Sequence, residues 1–427
     1  MAAHDDRPLL LMVRTGKREF REYLLRSLAP AYRVHMFTGV APTWEQEYID
    51  GATELGALLD VPAMAEAARR LGGTPAGVMT WDEARTPQAA ALAAALGLPG
   101  DPEAVARCRD KQRTRRALAA AGVPQPESVP VGSLGQAAAE AARIGYPVVL
   151  KPSDLALSVG VIKVDGPDQL DAAWEFTTGV RHGALPDWRP QVLLEEYVSG
   201  EEISVDAAVH RGEVTPLCVA RKELGHRPYC IEIGHYVHGD DPLRHDEDLR
   251  RLLRDAHAAL GFTDGVTHTE IMLTARGPRI IEVNARLGGD MIPYLGLRAT
   301  GVDTALAAAA TACGVPPQAV ADRKLVAGVR FFYPARPDTV IESLGFDRAG
   351  LPRPWTSWRC WPSRATGAHR RPRARSTAAS PSPPRSRRPR RSAARRWTPR
   401  EPRCASTANS PPRTPDPGAQ PTMPDRK

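Results

Sequence analysis

Thr267-His268-Thr269-Glu270-Ile271-Met272-Leu273-Thr274-Ala275-Arg276-Gly277-Pro278-Arg279-Ile280-Ile281-Glu282-Val283-Asn284-Ala285-Arg286 is the stretch on which the reading of this chain turns. Two short apolar runs flank Ala275-Arg276-Gly277-Pro278, which has turn composition. The pattern predicts an antiparallel β-hairpin. Successive strand side chains alternate between faces, so Glu282 and Asn284 share one face. Glu270 lies on the partner strand and can be brought beside them. Three oxygen-bearing side chains on one face suit a hard cation, Mg²⁺ with Mn²⁺ as a substitute, that also holds phosphates. Arg286 extends the row with a fixed positive charge. A lone Glu-x-Asn pair more often decorates a solvent-facing hairpin, so the rest of the chain has to decide.

Working outward, 427 residues are enough for two or three domains. The net charge of +8 misleads. Residues 351–427 hold 18 Arg, one Lys and three acids, a net of +16, which leaves −8 on residues 1–350. The body is mildly acidic and the basic character belongs to the tail. Six Cys without a Cys-x-x-Cys pair indicate neither a zinc site nor a disulfide framework and fit a reducing cytoplasm. No apolar run reaches the roughly 18 residues needed to span a bilayer, so no membrane partner is expected.

Ahead of the hairpin, Leu9-Leu10-Leu11-Met12-Val13 reads as a buried parallel strand, Lys17 to Leu28 as an amphipathic helix and Tyr32 to Phe37 as a second strand. Helices at Val61 to Leu71 and Thr86 to Leu96 bracket a strand at Gly77 to Thr80. This alternation predicts an α/β parallel-sheet domain over residues 1–98. After its first strand the chain reads Arg14-Thr15-Gly16-Lys17, without a dinucleotide fingerprint, so this part is read as a scaffold. Asp101 to Ala121 reads as one helix, capped by Asp101 and carrying Lys111. Strands are expected at Gly145 to Pro152, Val161 to Val164, Val192 to Val198, Glu201 to Val209 and Val214 to Ala220. Residues 221–247 read as irregular, Leu249 to Leu260 as a helix, and Phe331-Phe332-Tyr333 and Ile341 to Phe346 as core strands.

Chemistry collects between these elements. Lys111 and Lys151 are candidate phosphate ligands; Lys151 ends a buried strand beside a small-residue loop, where a compact ammonium meets a cleft. In that loop, Ser153 to Gly160, the hydroxyls of Ser153 and Ser158 and the backbone N–H groups can cover a phosphate. Glu195-Glu196-Tyr197-Val198 suits an inter-sheet linker whose backbone pairs with an adenine edge, and Glu202 is placed to accept ribose hydroxyls. Lys222 is a third cation. His226, His235 and His238 match no helical metal motif and are read as loop residues lining a substrate pocket. No Ser-His-Asp or Cys-His arrangement stands out.

In this order the parts resemble the ATP-grasp superfamily, and within it carboxylate–amine ligases of the L-amino acid ligase type. The likeness covers roughly residues 8 to 350. It is carried by Lys111, Lys151 with its loop, Glu195-Glu196-Tyr197-Val198, Glu202, Gly225 to His235, Thr267-His268-Thr269-Glu270 and Glu282-x-Asn284-x-Arg286-Leu287-Gly288-Gly289-Asp290. The single-glycine loop departs from the glycine-rich loop of many ATP-grasp enzymes but suits this subgroup. The resemblance implies a two-lobed ATP-grasp domain of α+β character over residues 99–350, with a central lobe at about 123–200 and a C-terminal lobe at about 201–350. It implies ATP bound by Lys111, Lys151, Ser158, Glu195, Glu196, Val198 and Glu202, with Mg²⁺ on Glu270, Glu282 and Asn284. Arg286 would stabilise developing charge, and Lys222, His235, Gly288 and Gly289 would face the substrate. The implied reaction is ADP-forming: a carboxylate is phosphorylated and an amine displaces phosphate. A carboxylase, a purine-pathway ligase and an inactive ATP-binding protein are the competing readings; a homodimer is compatible with all of them.

After Pro354 the composition turns to Arg, Pro, Ser and Ala, and residues 351–427 lack the periodicity to pack. A nucleic-acid-binding tail is one reading. We favour another. In GC-rich codons, Pro354 to Thr366 re-read one base earlier gives Val-Asp-Glu-Leu-Ala-Val-Leu-Ala-Glu-Pro-Gly-Asp, an ordinary amphipathic segment and turn. A shift of reading frame near Pro354 is therefore expected, and resequencing the gene checks it.

Overall fold

β1 (Leu9–Val13) is apolar at every position because it is a central strand, buried on both faces. The computed structural model describes residues 5–56, 59–155, 158–180, 190–225, 228–229 and 231–333. The basic tail, the expected strand at Ile341 to Phe346, and His226 lie outside these residues. β1 joins β2 (Arg33–Thr38), β3 (Gly51–Glu54) and β4 (Pro75–Met79) in a parallel sheet of order β3-β2-β1-β4. Three helices accompany it: α1 (Arg18–Leu28), α2 (Val61–Arg69) and α3 (Thr86–Ala95).

The single helix expected from Asp101 to Ala121 is two, α4 (Pro102–Arg109) and α5 (Lys111–Ala120). Asp110 breaks it. Its backbone is extended (φ −117, ψ 105) and its carboxylate accepts from the amides of Gln112 and Arg113, capping α5. Asp101 does not cap α4; its carboxylate accepts instead from the amides of Thr263 and Asp264. The break places Lys111 at the first turn of α5.

The central lobe is an antiparallel sheet of β5 (Ser128–Val131), β6 (Val148–Pro152), β7 (Ile162–Val164) and β8 (Val192–Glu196), in the order β5-β8-β6-β7. α6 (Leu134–Ile144) and α7 (Leu170–Thr178) cover one face through Ala137, Ala141, Leu170 and Ala173. The C-terminal lobe is a six-stranded antiparallel sheet. Its strands are β9 (Glu201–His210), β10 (Glu213–Gly225), β11 (Ile231–His238), β12 (Gly265–Thr274), β13 (Gly277–Asn284) and β14 (Val326–Arg330), ordered β13-β12-β9-β10-β11-β14. α8 (Glu247–Leu260) packs on one face with α4 and the end of α5, over Ile203, Val205, Ile271, Ile280 and Val283. α9 (Ile292–Thr300) and α10 (Thr304–Ala312) follow; α10, nearly all Ala and Thr, is shared between Leu10 and Met12 of β1 and Ala208 of β9 in one core cluster.

Three expectations fail in this lobe. Residues 221–225 and 231–238 are not irregular: β10 extends to Gly225 and β11 pairs back on it, setting Lys222 opposite His235 and ending at His238. His235 is thus a buried strand residue, not a loop residue. The hairpin turn is shorter than Ala275 to Pro278, because Gly277 at φ +94 already pairs with Thr274. Phe331-Phe332-Tyr333 lies past the end of β14, and Phe332 is 62% exposed.

The hairpin itself forms with one irregularity. Glu270 pairs with Glu282, but Ile271 pairs with Ile280, so Ile281 is an extra residue, a β-bulge. The bulge reverses the facing of the strand. Ile280 and Val283 enter the helix-side core, while Glu282 and Asn284 share the opposite face with Glu270.

Candidate active site

The polar face of the six-stranded sheet gathers its acids around one lysine. Lys222 Nζ lies 2.5 Å from Glu232, 2.8 Å from Glu270 and 3.1 Å from Glu202. Burial opposes its charge, yet the three carboxylates raise its pKa well above the ordinary lysine value. Glu232 is held at about 2: burial works against ionisation and Lys222 outweighs it. Glu202 shifts the other way, raised by burial and by Glu270 and Glu232 despite Lys222. Three carboxylates share one ammonium, so the cluster has anionic capacity left for another cation. Glu282, on the paired strand, is 3.2 Å from Lys111, whose ammonium also donates to the Leu155 carbonyl at 2.6 Å. Lys111 thereby ties the metal-candidate strand to the loop that also holds Ser158. The donor set of Glu270, Glu282 and Asn284 is oxygen-rich and fits a hard divalent cation.

A second chain of contacts runs from Glu270. His268 Nε2 is 3.6 Å from it, and His268 Nδ1 is 2.7 Å from Asp206. Burial would lower the histidine pKa, but the bonds to Asp206 and Glu270 raise it to about 9. Asp206 in turn accepts from the Gly288 amide at 3.1 and 3.2 Å. A Cβ on Gly288 would sit 3.0 Å from His268 Nδ1 and 3.1 Å from Asp206 Oδ1, so the loop passes closely only as glycine. Gly289 and Asp290 continue this loop. Glu232, His235 and Asp290 bring one ligand atom each within 4.8 Å of one another.

In the central lobe, Glu195 is buried and used twice. It accepts from Arg115 Nε at 2.7 Å and Nη2 at 3.0 Å, and pairs with Lys151 at 2.6 Å. Burial raises its pKa, and Arg115 and Lys151 bring it down to about 2. Arg115 also donates to the carbonyls of Ile280 (3.0 Å) and Ile281 (2.8 Å), at the bulge. Glu196 pairs with Arg276 of the hairpin turn. Val198 is buried just beyond β8. Arg286 contacts Glu83, which also accepts from Arg109 at 2.6 Å.

Residues 144–294 match the ATP-grasp domain model designated ATP-grasp_4. The chain carries an ATP-grasp domain. Among curated proteins, a D-alanine–D-alanine ligase of Ectopseudomonas mendocina (strain ymp) is 30% identical over 212 residues, 47% of this chain and 63% of that protein. An alanine–anticapsin ligase of Bacillus subtilis is 29% identical over 235 residues, 49% and 48% of the two chains. The chain thus spans about half the length of the curated relatives it matches. A solved L-amino acid ligase from Bacillus licheniformis superposes with a TM-score of 0.61 at 22% identity, over 80% of this chain and 82% of that one, which shows the shared fold. The matched span of the ATP-grasp domain holds Lys151, Glu195, Glu202, Lys222, Glu270, Glu282, Asn284 and Arg286; Lys111 precedes it.

Sequence reasoning missed Arg115, Asp206, Glu232 and Glu83 as parts of this arrangement. Signals existed for three. Arg115 follows Lys111 by four residues, one helical turn on the same face. Asp206 is a charge inside the mostly apolar run Ile203 to Val209. Glu83 lies just past the carboxyl end of a parallel strand, where α/β sheets place their sites. Among the described residues, no helix is long and apolar enough to cross a membrane.

Proposed function

We propose that this chain is an ADP-forming ligase that joins a carboxylate to an amine, with an amino acid as a substrate. The observation that carries the reading is the single sheet face on which Glu270, Glu282 and Asn284 stand together, with Lys111 on Glu282 and Lys222 on Glu270. Such a face manages the charge of a polyphosphate; it holds no built nucleophile. Lys111 and Lys151 reach the phosphates, the backbone from Glu195 to Val198 meets adenine, Glu202 takes the ribose and Ser158 lies in the covering loop. Glu270, Glu282 and Asn284 would hold Mg²⁺, which when bound neutralises phosphate charge.

A substrate carboxylate oxygen attacks the γ-phosphorus and ADP leaves, giving an acyl phosphate. The amine nitrogen then attacks the acyl carbon, the C–O bond to phosphate breaks, inorganic phosphate departs with the electron pair and the amine proton passes to solvent. Arg286, fixed by Glu83, faces the charge that develops. Glu232 and Asp290, beside His235, offer anionic partners for a substrate ammonium, and Gly288 and Gly289 let the substrate approach the backbone. The sequence relatives support a carboxylate–amine ligase over the carboxylase alternative.

The test is phosphate release with ATP, Mg²⁺ and pooled amino acids. ADP and phosphate formed only when amino acids are present support the reading; AMP and pyrophosphate overturn the acyl-phosphate route. Glu282→Gln should lower turnover by at least about a hundredfold; unchanged activity removes Glu282 from the metal set.

A further inference from the structure

Arg21 projects from α1 of the N-terminal domain toward the loop after β13, and among the described residues no carboxylate comes within ion-pair distance of it. Its Nη1 donates to the Gly288 carbonyl at 3.3 Å and its Nη2 to the Trp81 carbonyl at 3.4 Å, both long contacts. Its charged neighbours are Arg286, Asp290 and Asp206. Burial depresses its pKa, and Arg286 adds repulsion. The contrast with Arg286 is sharp, since that guanidinium is met by Glu83. A guanidinium carries five donors in a planar fork matched to a carboxylate. Arg21 is half-buried, and with only two long carbonyl contacts most of its donors are left for an anion that reaches it. The phosphate end of the cleft already has Lys111 and Lys151, which lie on other elements. Arg21 instead touches Gly288, in the loop that Asp206 and His268 connect to Glu270.

We infer that Arg21 is the receptor for the free carboxylate of the acceptor amino acid, the carboxylate that survives as the C-terminus of the product. The inference rests on the ligase reading above and narrows it: the amine substrate is an α-amino acid rather than a simple amine. With its carboxylate on Arg21, the acceptor presents its amine, two bonds away, to the acyl carbon near Arg286.

The experiment is a one-pot competition. The full chain is given ATP, Mg²⁺, pooled amino acids and an equimolar pool of the same amino acids as N-methylamides, and products are resolved by mass spectrometry. The wild type should form dipeptides over dipeptide methylamides by about tenfold to a hundredfold, the worth of one charge-assisted pair. Arg21→Gln should bring that ratio close to one and raise the acceptor KM while leaving the ATP KM unchanged, and Arg21→Lys should restore part of the preference. Equal use of both acceptors by the wild type overturns the Arg21 assignment alone without recourse to any variant, and so does a preference kept by Arg21→Gln. Absence of amino-acid-dependent ADP overturns the ligase reading, and the Arg21 assignment falls with it.

Discussion

Replacing Arg115 by Met tests how the lobes are held. Arg115 is 5% exposed and its guanidinium meets both oxygens of Glu195 and the carbonyls of Ile280 and Ile281. Breaking a buried ion pair costs about 3 to 5 kcal/mol, and the low end applies because Lys151 still faces Glu195 at 2.6 Å. Two buried carbonyls losing their donor add about 0.5 kcal/mol each. The expected loss is about 4 kcal/mol. With a urea m-value of about 3 kcal/mol/M, the midpoint falls by about 1.3 M at unchanged slope. Arg143→Met is the control, because Arg143 pairs with Glu127 and Glu140 in water at 51% side-chain exposure, and such pairs are worth under about 1 kcal/mol. A double-mutant cycle sharpens the point: Lys151→Met should cost more in the Arg115→Met background than alone, since Glu195 is then left without a cation. Equal midpoints for the Arg115 and Arg143 variants would refute the reasoning, and strict additivity with Lys151 would refute the shared carboxylate.

Two other outcomes follow from single side chains. His257 is buried against the Leu253 carbonyl and Thr267, and burial pulls its pKa down from 6.5 to about 4. A base depressed on folding contributes stability above its unfolded pKa and loses it as pH falls toward the folded one, so roughly 3 kcal/mol should disappear between pH 6.5 and 4; His257→Met should flatten that fall in melting temperature, and an unchanged slope would count against it. Gly200, between β8 and β9, has no room for a Cβ, which would lie 2.1 Å from the Leu273 carbonyl oxygen; Gly200→Ala should cost about 2 kcal/mol and displace Glu202, read as a lower melting temperature together with a higher ATP KM.

The hairpin was legible because it obeys local rules: alternation, a turn and paired acids two residues apart. Lys111, Lys151, Glu202 and Asn284 carry charge or amide groups at or near strand or helix ends, and Glu270 and Glu282 are acids set among apolar strand residues, where a motif can show them. The α4–α5 break was harder, because a periodic pattern runs through Asp110 and it takes the cap on α5, with the Lys111 amide given to the Ser153 carbonyl, to end it. His235 was misplaced because a strand that carries Glu232, Gly234 and His235 looks like a loop until a partner satisfies them. Arg115 and Glu83 carry local signals, but what each one does is decided by a distant partner. Their partners lie 80 and 203 residues away, at Glu195 and Arg286.

The unpaired Ile281 acts as a phase element. In a regular antiparallel ladder, one extra residue moves every side chain beyond it to the other face. Ile281 is such a residue, and the bulge takes it up where it stands, so Ile280 keeps its inward facing and Glu282 its outward one. Drawn into regular pairing, Ile281 would stand where the carboxylate is, and Glu282 would turn into the apolar layer under α8. Deleting Ile281 has no such effect, since Ile280 and Glu282 then alternate directly. The facing of the acids is carried by the irregularity, so in a lineage of such chains the strand can lose the residue and the bulge together but not the bulge alone.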